Sequence, residues 1–317
     1  MTNRKFRRVI GDDPKVLYLM RQLGFKLGFG DLSLDEVCIA SGINPELFSI
    51  LCDIYTTDNP QIDLDSLSSA DIPVLLRFLR VTHKHYLEVS SVALHENVHK
   101  MTEFCTPENS DIVGRFFDGF DAEMKRHIDF EEDVVFSYIE GLLRGERNSL
   151  LSVGMIAEMH SNVEEKLEDF KNIVMNYLPG SSTSDVRYDV LIQILKSEDI
   201  LRRHTAVEDR VLLPLAEMLE QDEEENAGSD NSEPDSTARE PYSDKPRSIL
   251  SDREKQIVTE VAKGLTNKEI ADKLCISVFT VTTHRKNISQ KLGIKTIAGL
   301  TVYALMNGFL RQEDIEL

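Results

Sequence analysis

Tryptophan is absent from the 317 residues, cysteine occurs only four times and glycine sixteen times. Cys38, Cys52, Cys105 and Cys275 lie far apart. Their spacing excludes a close-set disulfide framework and the usual thiolate zinc site, and it suits a reducing compartment. No apolar run approaches the length needed to span a bilayer. The basic start (Arg4, Lys5, Arg7, Arg8) is not followed by an apolar h-region. The expectation is a cytoplasmic protein with no membrane partner. Few glycines beside 41% hydrophobic residues read as a soluble, helix-rich chain, long enough for two domains, one with a sizeable core.

Charge is the next imbalance. The chain carries 55 acidic and 36 basic side chains, a formal net charge of -19, which on average argues against a polyanionic partner. The average conceals two parts. Residues 247–311 hold 11 basic and 5 acidic residues, whereas everything before Arg247 holds 25 basic and 47 acidic. A basic module is attached to an acidic body. Residues 221–246 contain nine acids, two bases and almost nothing to bury, the composition of a disordered linker.

Four long segments repeat apolar residues at helical spacing: Pro73 to about Lys100, Ile112 to Leu143, Leu150 to Tyr177 and Asp185 to Leu219. Each interrupts its apolar stripe with one histidine. His83 aligns with Leu76, Leu79, Leu87, Ser90, Leu94 and Met101; His127 with Phe116, Phe120, Met124, Val134, Val135 and Tyr138. His160 aligns with Val153, Ile156, Val163, Leu167, Phe170 and Val174; His204 with Leu201, Val207, Val211 and Leu215. Two of the histidines have a glutamate four residues on, His127 with Glu131 and His204 with Glu208. That spacing puts both side chains on one helix face, where they can touch the same ion.

A lone histidine on an apolar face is most often a core residue bonded to a carbonyl. Four on successive helices, with two inward glutamates, point further. Buried carboxylates are costly unless a cation lies between them, and the stripes show no inward Lys or Arg. The residues call for a pair of bound dications in a four-helix bundle. Imidazole with carboxylate suits iron or manganese better than magnesium, and a single zinc leaves ligands unused. Six side chains do not fill two octahedral shells, so positions stay open for oxygen species, nitric oxide or water. His95-Glu96-Asn97-Val98-His99 satisfies the HExxH pattern, but helical phase turns His95, His99 and also His85 away from the core. They are read as surface residues.

Before the bundle, residues 14–60 contain short helical patterns broken by glycines. Ser33 with Glu36 reads as a capping box, and Asn44-Pro45-Glu46 as a helix start. After the linker, Ser251 and Glu254 form another capping box for a helix running to Lys263, ended by Gly264. Asn267–Leu274 form a second helix, Cys275-Ile276-Ser277 a turn, and Val278–Leu292 a third helix that exposes Thr282, Thr283, Arg285 and Lys286. Two helices joined by a tight turn, the second polar and basic, have helix-turn-helix geometry.

Two resemblances follow from these residues. Thr82-His83, His127-xxx-Glu131, His160 and His204-xxx-Glu208 resemble the hemerythrin-type HHE domain, in particular its iron-sulfur-cluster repair branch. The resemblance implies that His83, His127, Glu131, His160, His204 and Glu208 ligate a non-haem di-iron centre, oxo-bridged and bridged by the two glutamates, that reacts with oxygen, peroxide or nitric oxide. Gly28-Phe29-Gly30 stands about where that branch carries adjacent cysteines, a departure that weakens a cluster-repair role. Leu250, Arg253, Glu254, Gly264, Asn267, Glu269, Ile270, Ala271, Leu274, Ser277, Thr280, Val281, His284, Lys291 and Leu292 resemble the signature of the LuxR-type DNA-binding domain, a four-helix class without a wing. The resemblance implies that Thr282, Thr283 and Lys286 approach base edges while Asn267, Lys268, Thr280, Arg285 and Lys291 hold phosphates. It also implies that the last helix, Thr296 to Asn307, dimerises through Ile297, Leu300, Tyr303 and Ala304.

The expectation is therefore an all-α chain. It divides into a helical subdomain (1–70), a hemerythrin-like di-iron four-helix bundle (71–220), the acidic linker (221–246) and a LuxR-type helix-turn-helix domain (247–317). Its expected function is that of a homodimeric transcription regulator, not an enzyme, that binds double-stranded DNA under control of a small diatomic ligand or oxidant at the di-iron centre. The alternative is a di-iron protein for cluster repair, iron delivery or peroxide or nitric oxide turnover, with a DNA-binding domain that regulates its own synthesis.

Overall fold

A computed structural model describes residues 13–146, 151–159, 163–178, 184–225 and 250–311. The described residues form helices and turns without a strand. They fall into two compact units, one drawn from segments 1–90, 126–161 and 199–231, the other from segments 91–125, 162–198 and 232–317.

The helices, in chain order, are α1 (Pro14–Leu23), α2 (Leu34–Ala40), α3 (Pro45–Thr56), α4 (Ile72–His85), α5 (Ser91–Thr102), α6 (Pro107–Phe130), α7 (Ser137–Leu143), α8 (Val153–Met159), α9 (Val163–Asn172), α10 (Ser184–Val207), α11 (Leu213–Glu225), α12 (Asp252–Ala262), α13 (Asn267–Leu274), α14 (Val278–Leu292) and α15 (Ile297–Met306). Four wide π turns interrupt the long rods, at Tyr86–Ser90, Glu131–Phe136, Ile173–Tyr177 and Glu208–Leu212. α11 runs on to Glu225, five residues into the stretch read as linker. The rest of that stretch lies outside the described residues.

The π turns correct the inward stripes. A turn closed by i→i+5 bonds holds an extra residue, so a constant 100° step loses phase across it. Leu87, expected inside, is 37% exposed, while Ser90, Ser91, Leu94 and Val98 are buried. Val134 and Tyr138 move to the flank, and Val135, Phe136 and Ile139 occupy the core. Leu201 is likewise half-buried.

In the first unit the amino-terminal helices share one core with the helices carrying the glutamates. Leu19, Leu47, Phe48, Leu51 and Tyr55 pack in the same cluster as Leu75, Phe78, Leu79, Phe136, Val207 and Val211. Helix starts are set locally: Asp13 caps α1, Ser33 and Glu36 form the capping box of α2, and Asn44 caps α3 ahead of Pro45. Among the described residues no single helix is long and apolar enough to cross a membrane. The one bent pair that meets the length and composition test, α2 with α3, buries most of its apolar side chains in this core. Burial pushes the Cys38 and Cys52 thiols up to about 12, so neither supplies a thiolate.

Arg203 overturns the expectation that the long helices carry no inward cation. It is 4% exposed. The amino-terminal helices cover the side of α10 that a free-standing bundle exposes, and Arg203 points there. Its Nη1 donates to the Ile54 carbonyl at 2.5 Å, its guanidinium lies 5.9 Å from the Tyr55 ring centroid, and Asp199 accepts its Nε at 3.0 Å. Burial pushes the Asp199 carboxyl up, but hydrogen bonds and charge from Arg203, Arg202 and Lys15 outweigh it and bring its pKa down to about 2. A carboxyl depressed from 3.8 contributes stability that is present above its unfolded pKa and lost as pH falls through the folded one. Discounted for its partial exposure, the contribution is about 1–2 kcal/mol. Wild type should therefore melt above Asp199→Asn by a few degrees at pH 6, with the gap closing between pH 4 and 2. Equal melting temperatures at pH 6 would contradict this anchoring role.

The second unit holds α5, the first part of α6, α9, the first part of α10, and α12–α15. Phe116 and Phe117 of α6 pack against Phe170 of α9, with ring centroids 5.7 and 5.6 Å apart. Ser251 with Glu254 and Thr266 with Glu269 form capping boxes for α12 and α13, while Ser277 and Thr296 cap α14 and α15. α13 and α14 have the bounds expected from sequence. The turn between them places Cys275 at φ 53°, the one non-glycine residue at positive φ among the described residues.

Candidate functional site

Two of the rods reach the site with a histidine one α-helical turn before a glutamate, and at both the glutamate begins a π turn. Such turns recur at functional positions. Glu131 is 0% exposed, Glu208 1%, His83 5% and His204 6%. His83, Glu131 and His204 each offer a ligand atom within 4.8 Å of the others.

Glu131 is the centre of the arrangement. Its Oε1 lies 2.8 Å from His127 Nε2. Its Oε2 lies 2.8 Å from His83 Nε2 and 3.6 Å from His204 Nε2. The two oxygens of one carboxylate thus serve two different sets of imidazoles. His83 Nε2 and His204 Nε2 are 3.2 Å apart.

The outer contacts fix which ring nitrogen carries hydrogen. Thr82 Oγ1 donates to the Leu79 carbonyl at 2.7 Å, so at His204 Nδ1, 2.8 Å away, it accepts. His204 therefore carries its hydrogen on Nδ1 and turns the Nε2 lone pair inward. The Glu132 carboxylate accepts from His83 Nδ1 at 2.9 Å, with the same consequence. Glu132 is itself held by Arg80, Nε to Oε2 at 3.4 Å. His83 lies parallel to Phe136, the ring centroids 5.5 Å apart and the planes 3° from parallel, which fixes its plane.

This donor set fits a cation. Converging lone pairs and a fully buried carboxylate repel one another unless a proton or a metal ion joins them. Burial disfavours charge on His83, yet hydrogen bonds and charge from Glu131, and then Glu132, outweigh it and hold its pKa above the usual imidazole value. The pocket therefore attracts positive charge. Imidazole with carboxylate, and no thiolate, is the ligand chemistry of iron, manganese or zinc sites.

Of the six expected ligands, the structure brings together His83, His127, Glu131 and His204. Glu208 is buried, and His160 lies outside the described residues. His95 and His99 are exposed, with side chains 53% and 77% accessible, as helical phase requires. His85 corrects the surface reading: it is half-buried against Tyr18 of α1, ring centroids 5.6 Å apart. Sequence reasoning assigned no role to Thr82, quoted only as part of the Thr82-His83 motif, or to Glu132. Their one sequence signal is adjacency, each standing beside an expected ligand.

The second candidate surface is the exposed face of α14. Thr282, Thr283 and Lys286 are exposed there, and Lys268 is exposed on α13. Asn267, Thr280 and Arg285 are half-buried, with Arg285 Nη1 donating to Asn267 Oδ1 at 2.6 Å. Lys291 is committed within the domain: its Nζ donates to Glu254 at 2.8 Å, a carboxylate 4% exposed. In α15, Ile297 is 52% exposed while Leu300, Tyr303 and Ala304 are buried.

Two known families match the chain. The hemerythrin HHE cation binding domain matches residues 74–216, and the bacterial regulatory proteins of the luxR family match residues 248–304. The transcriptional regulatory protein MctR of Rhizobium johnstonii is 49% identical over 61 residues, 19% of this chain and 28% of its own length. The oxygen regulatory protein NreC of Staphylococcus aureus is 49% identical over 65 residues, 20% of this chain and 30% of its own. The chain thus spans less than a third of the length of these relatives. No solved structure matches it.

Proposed function

We infer, from a chain that joins an HHE cation-binding domain to a LuxR-type DNA-binding domain and so is a DNA-binding regulator with a hemerythrin-like domain, that the cation site is a di-iron sensor governing the DNA-binding domain. The observation that carries this reading is Glu131, whose two oxygens face separate imidazole sets. In this reading His83, His127, His160, His204, Glu131 and Glu208 hold the irons. Held there, an iron pair would supply a binding site for oxygen or nitric oxide and a means of exchanging electrons with oxidants.

The chain's own residues set the terms of that chemistry. Thr82 and Glu132 keep hydrogen on Nδ1 of His204 and His83, so that Nε2 stays a donor. Phe136 fixes the plane of His83. His204 ends α10 and Glu208 begins the π turn that joins it to α11, so the residues that would hold the irons lie on the rod that runs into the acidic linker. The input is a small ligand or oxidant, the output is binding to double-stranded DNA, and the protein acts in the cytoplasm as a homodimeric regulator, not an enzyme. The work divides among residues 1–70, 71–220, 221–246 and 247–317, with sensing in the second part and DNA recognition in the last.

The test is metal content and the near-ultraviolet spectrum of full-length protein purified without oxygen, then exposed to air, beside His204→Ala. About two irons per chain, with absorption that develops in air and is lost in the variant, is the expected result. Zinc alone, or no metal, would contradict a di-iron sensor.

The linker supplies a separate prediction. Its nine acids in residues 221–246 precede the basic module and compete with DNA for it. Replacing them with neutral residues should raise DNA affinity several-fold at low salt, with the gain shrinking as salt screens the charges. Unchanged affinity at low salt would remove the competition.

A further inference from the structure

The second unit encloses a cavity of about 390 Å³ between α6 and α15. Its walls are apolar and come from both matched domains: Ile112 and Phe116 from the HHE match, Ile297, Ala298 and Val302 from the luxR match. It opens to solvent past Ile297, which is 52% exposed. Pockets for small molecules run from about 300 to 1,000 Å³ and are lined mainly by such groups.

Loose docking does not account for the space. Asp169 of α9 is 0% exposed. Its Oδ1 accepts the backbone N–H of Lys295 at 2.7 Å and its Oδ2 that of Thr296 at 2.8 Å, which fixes the start of α15 on α9. Phe170, the next residue of α9, packs on Phe116 of α6. With α15 tied to α9 and α9 to α6, the cavity lies between fixed walls. Apolar walls that closed on each other would gain by leaving water; these stay apart.

Gly119 of α6 forms part of the wall. It sits inside a 24-residue helix, where glycine is less favourable than alanine. Its φ is not positive, and nothing lies within 4 Å of where a Cβ would stand. Neither the backbone nor close packing requires glycine here. What the glycine preserves is open space.

Charge selects the class of ligand. In a chain of net charge -19 the lining carries Arg115, Lys166 and Lys263 and no acid. Arg115 pairs with Asp111 at 3.2 Å and Lys166 with Glu123. Lys263, exposed just past the end of α12, has no ion-pair partner among the described residues. One uncommitted cation at the rim of an apolar space complements an apolar body that ends in one negative charge.

We propose that this cavity binds a small amphipathic carboxylate, with its apolar body between α6 and α15 and its anionic head on Lys263. Such a ligand touches the cation-binding domain and the DNA-binding domain at once, so it stabilises their attachment by mass action. A change in DNA affinity on binding rests on the DNA-binding reading above; the site itself does not.

Isothermal titration calorimetry on full-length protein, with dodecanoate and dodecylamine as probes below their micelle-forming concentrations, tests the site. Wild type should bind about one dodecanoate per chain, at least about tenfold more tightly than the amine. Lys263→Glu, a change on an exposed residue, should narrow that preference by roughly fivefold or more. Gly119→Leu grows a side chain from the wall and should abolish binding, while its melting temperature without ligand matches or exceeds that of wild type. Equal affinity for acid and amine in wild type would overturn the proposal, as would an unchanged preference in Lys263→Glu or wild-type affinity in Gly119→Leu. Binding that weakens as protein concentration rises would give the cavity to a second copy of the chain and overturn the small ligand. Dodecanoate binding that passes these tests but leaves DNA affinity unchanged would support the site and count against its link to DNA.

Discussion

Glu131→Gln protein is expected to lose the cation site while keeping its fold. The glutamine has the shape of the carboxylate without its charge, and it replaces a group that contacts His83, His127 and His204. Losing an outer partner of a ligand typically costs roughly 10–100-fold in metal affinity. Loss of the group between two imidazole sets should exceed that. Thr82→Val, which removes only the acceptor for His204 Nδ1, should fall inside the range. A metal that binds the native state alone raises its stability by mass action, so the difference in melting temperature between metal-loaded and metal-stripped wild type should vanish in Glu131→Gln. Metal-stripped Glu131→Gln should be no less stable than metal-stripped wild type, because a buried carboxylate has been neutralised. Full metal content in Glu131→Gln would remove Glu131 from the site.

The second large effect is expected on α14, where three substitutions separate three roles. Lys286→Ala removes an exposed cation from the face proposed to meet base edges and should cost about 1–3 kcal/mol of specific DNA affinity, relaxing discrimination at one position. Lys268→Ala should weaken binding to all sequences alike and reduce the salt slope by about 1. Lys291→Ala should behave differently from both. Its amine holds the buried Glu254 carboxylate, whose pKa stays low because the Lys291 bond, with help from Ser251, outweighs its burial. Removing the lysine leaves a charge-assisted bond unmade, at a cost of about 1–3 kcal/mol of domain stability. Fluorescence anisotropy over a salt series, together with thermal melts, distinguishes the three. A salt slope lowered by Lys291→Ala with no loss of stability would assign that residue to a phosphate instead.

The contrast between Lys286 and Lys291 shows what was legible in the sequence. Features set within four residues could be read directly. Ser33, Asn44 and Ser251 cap the helices they precede, and the His-xxx-Glu pairs place donors on one helix face. The bounds of α13 and α14 also follow from such local signals. The π turns could not be read, because an extra residue in a helical turn leaves no mark in composition, and Leu87 came out exposed as a result.

Contacts between elements distant in sequence were not legible at all. Lys291 and Glu254 are 37 residues apart, and Thr82 and His204 are 122 apart. Arg203 looked like a surface residue only while the amino-terminal helices were considered apart from α10. Asp169 stood beside Phe170 on a stripe read for its apolar members, and its partners lie 126 and 127 residues onward.

The central claim is that the state of the cation site sets DNA binding. Its most direct test is the dissociation constant for one DNA site, at one salt concentration, of oxygen-free reduced, air-oxidised, nitric-oxide-treated and metal-stripped full-length protein. Coupling between sites is commonly worth 1–3 kcal/mol, or about 5–150-fold. The account predicts a difference of at least about tenfold between two of the four states, lost in Glu131→Gln. The same constant in all four would contradict it.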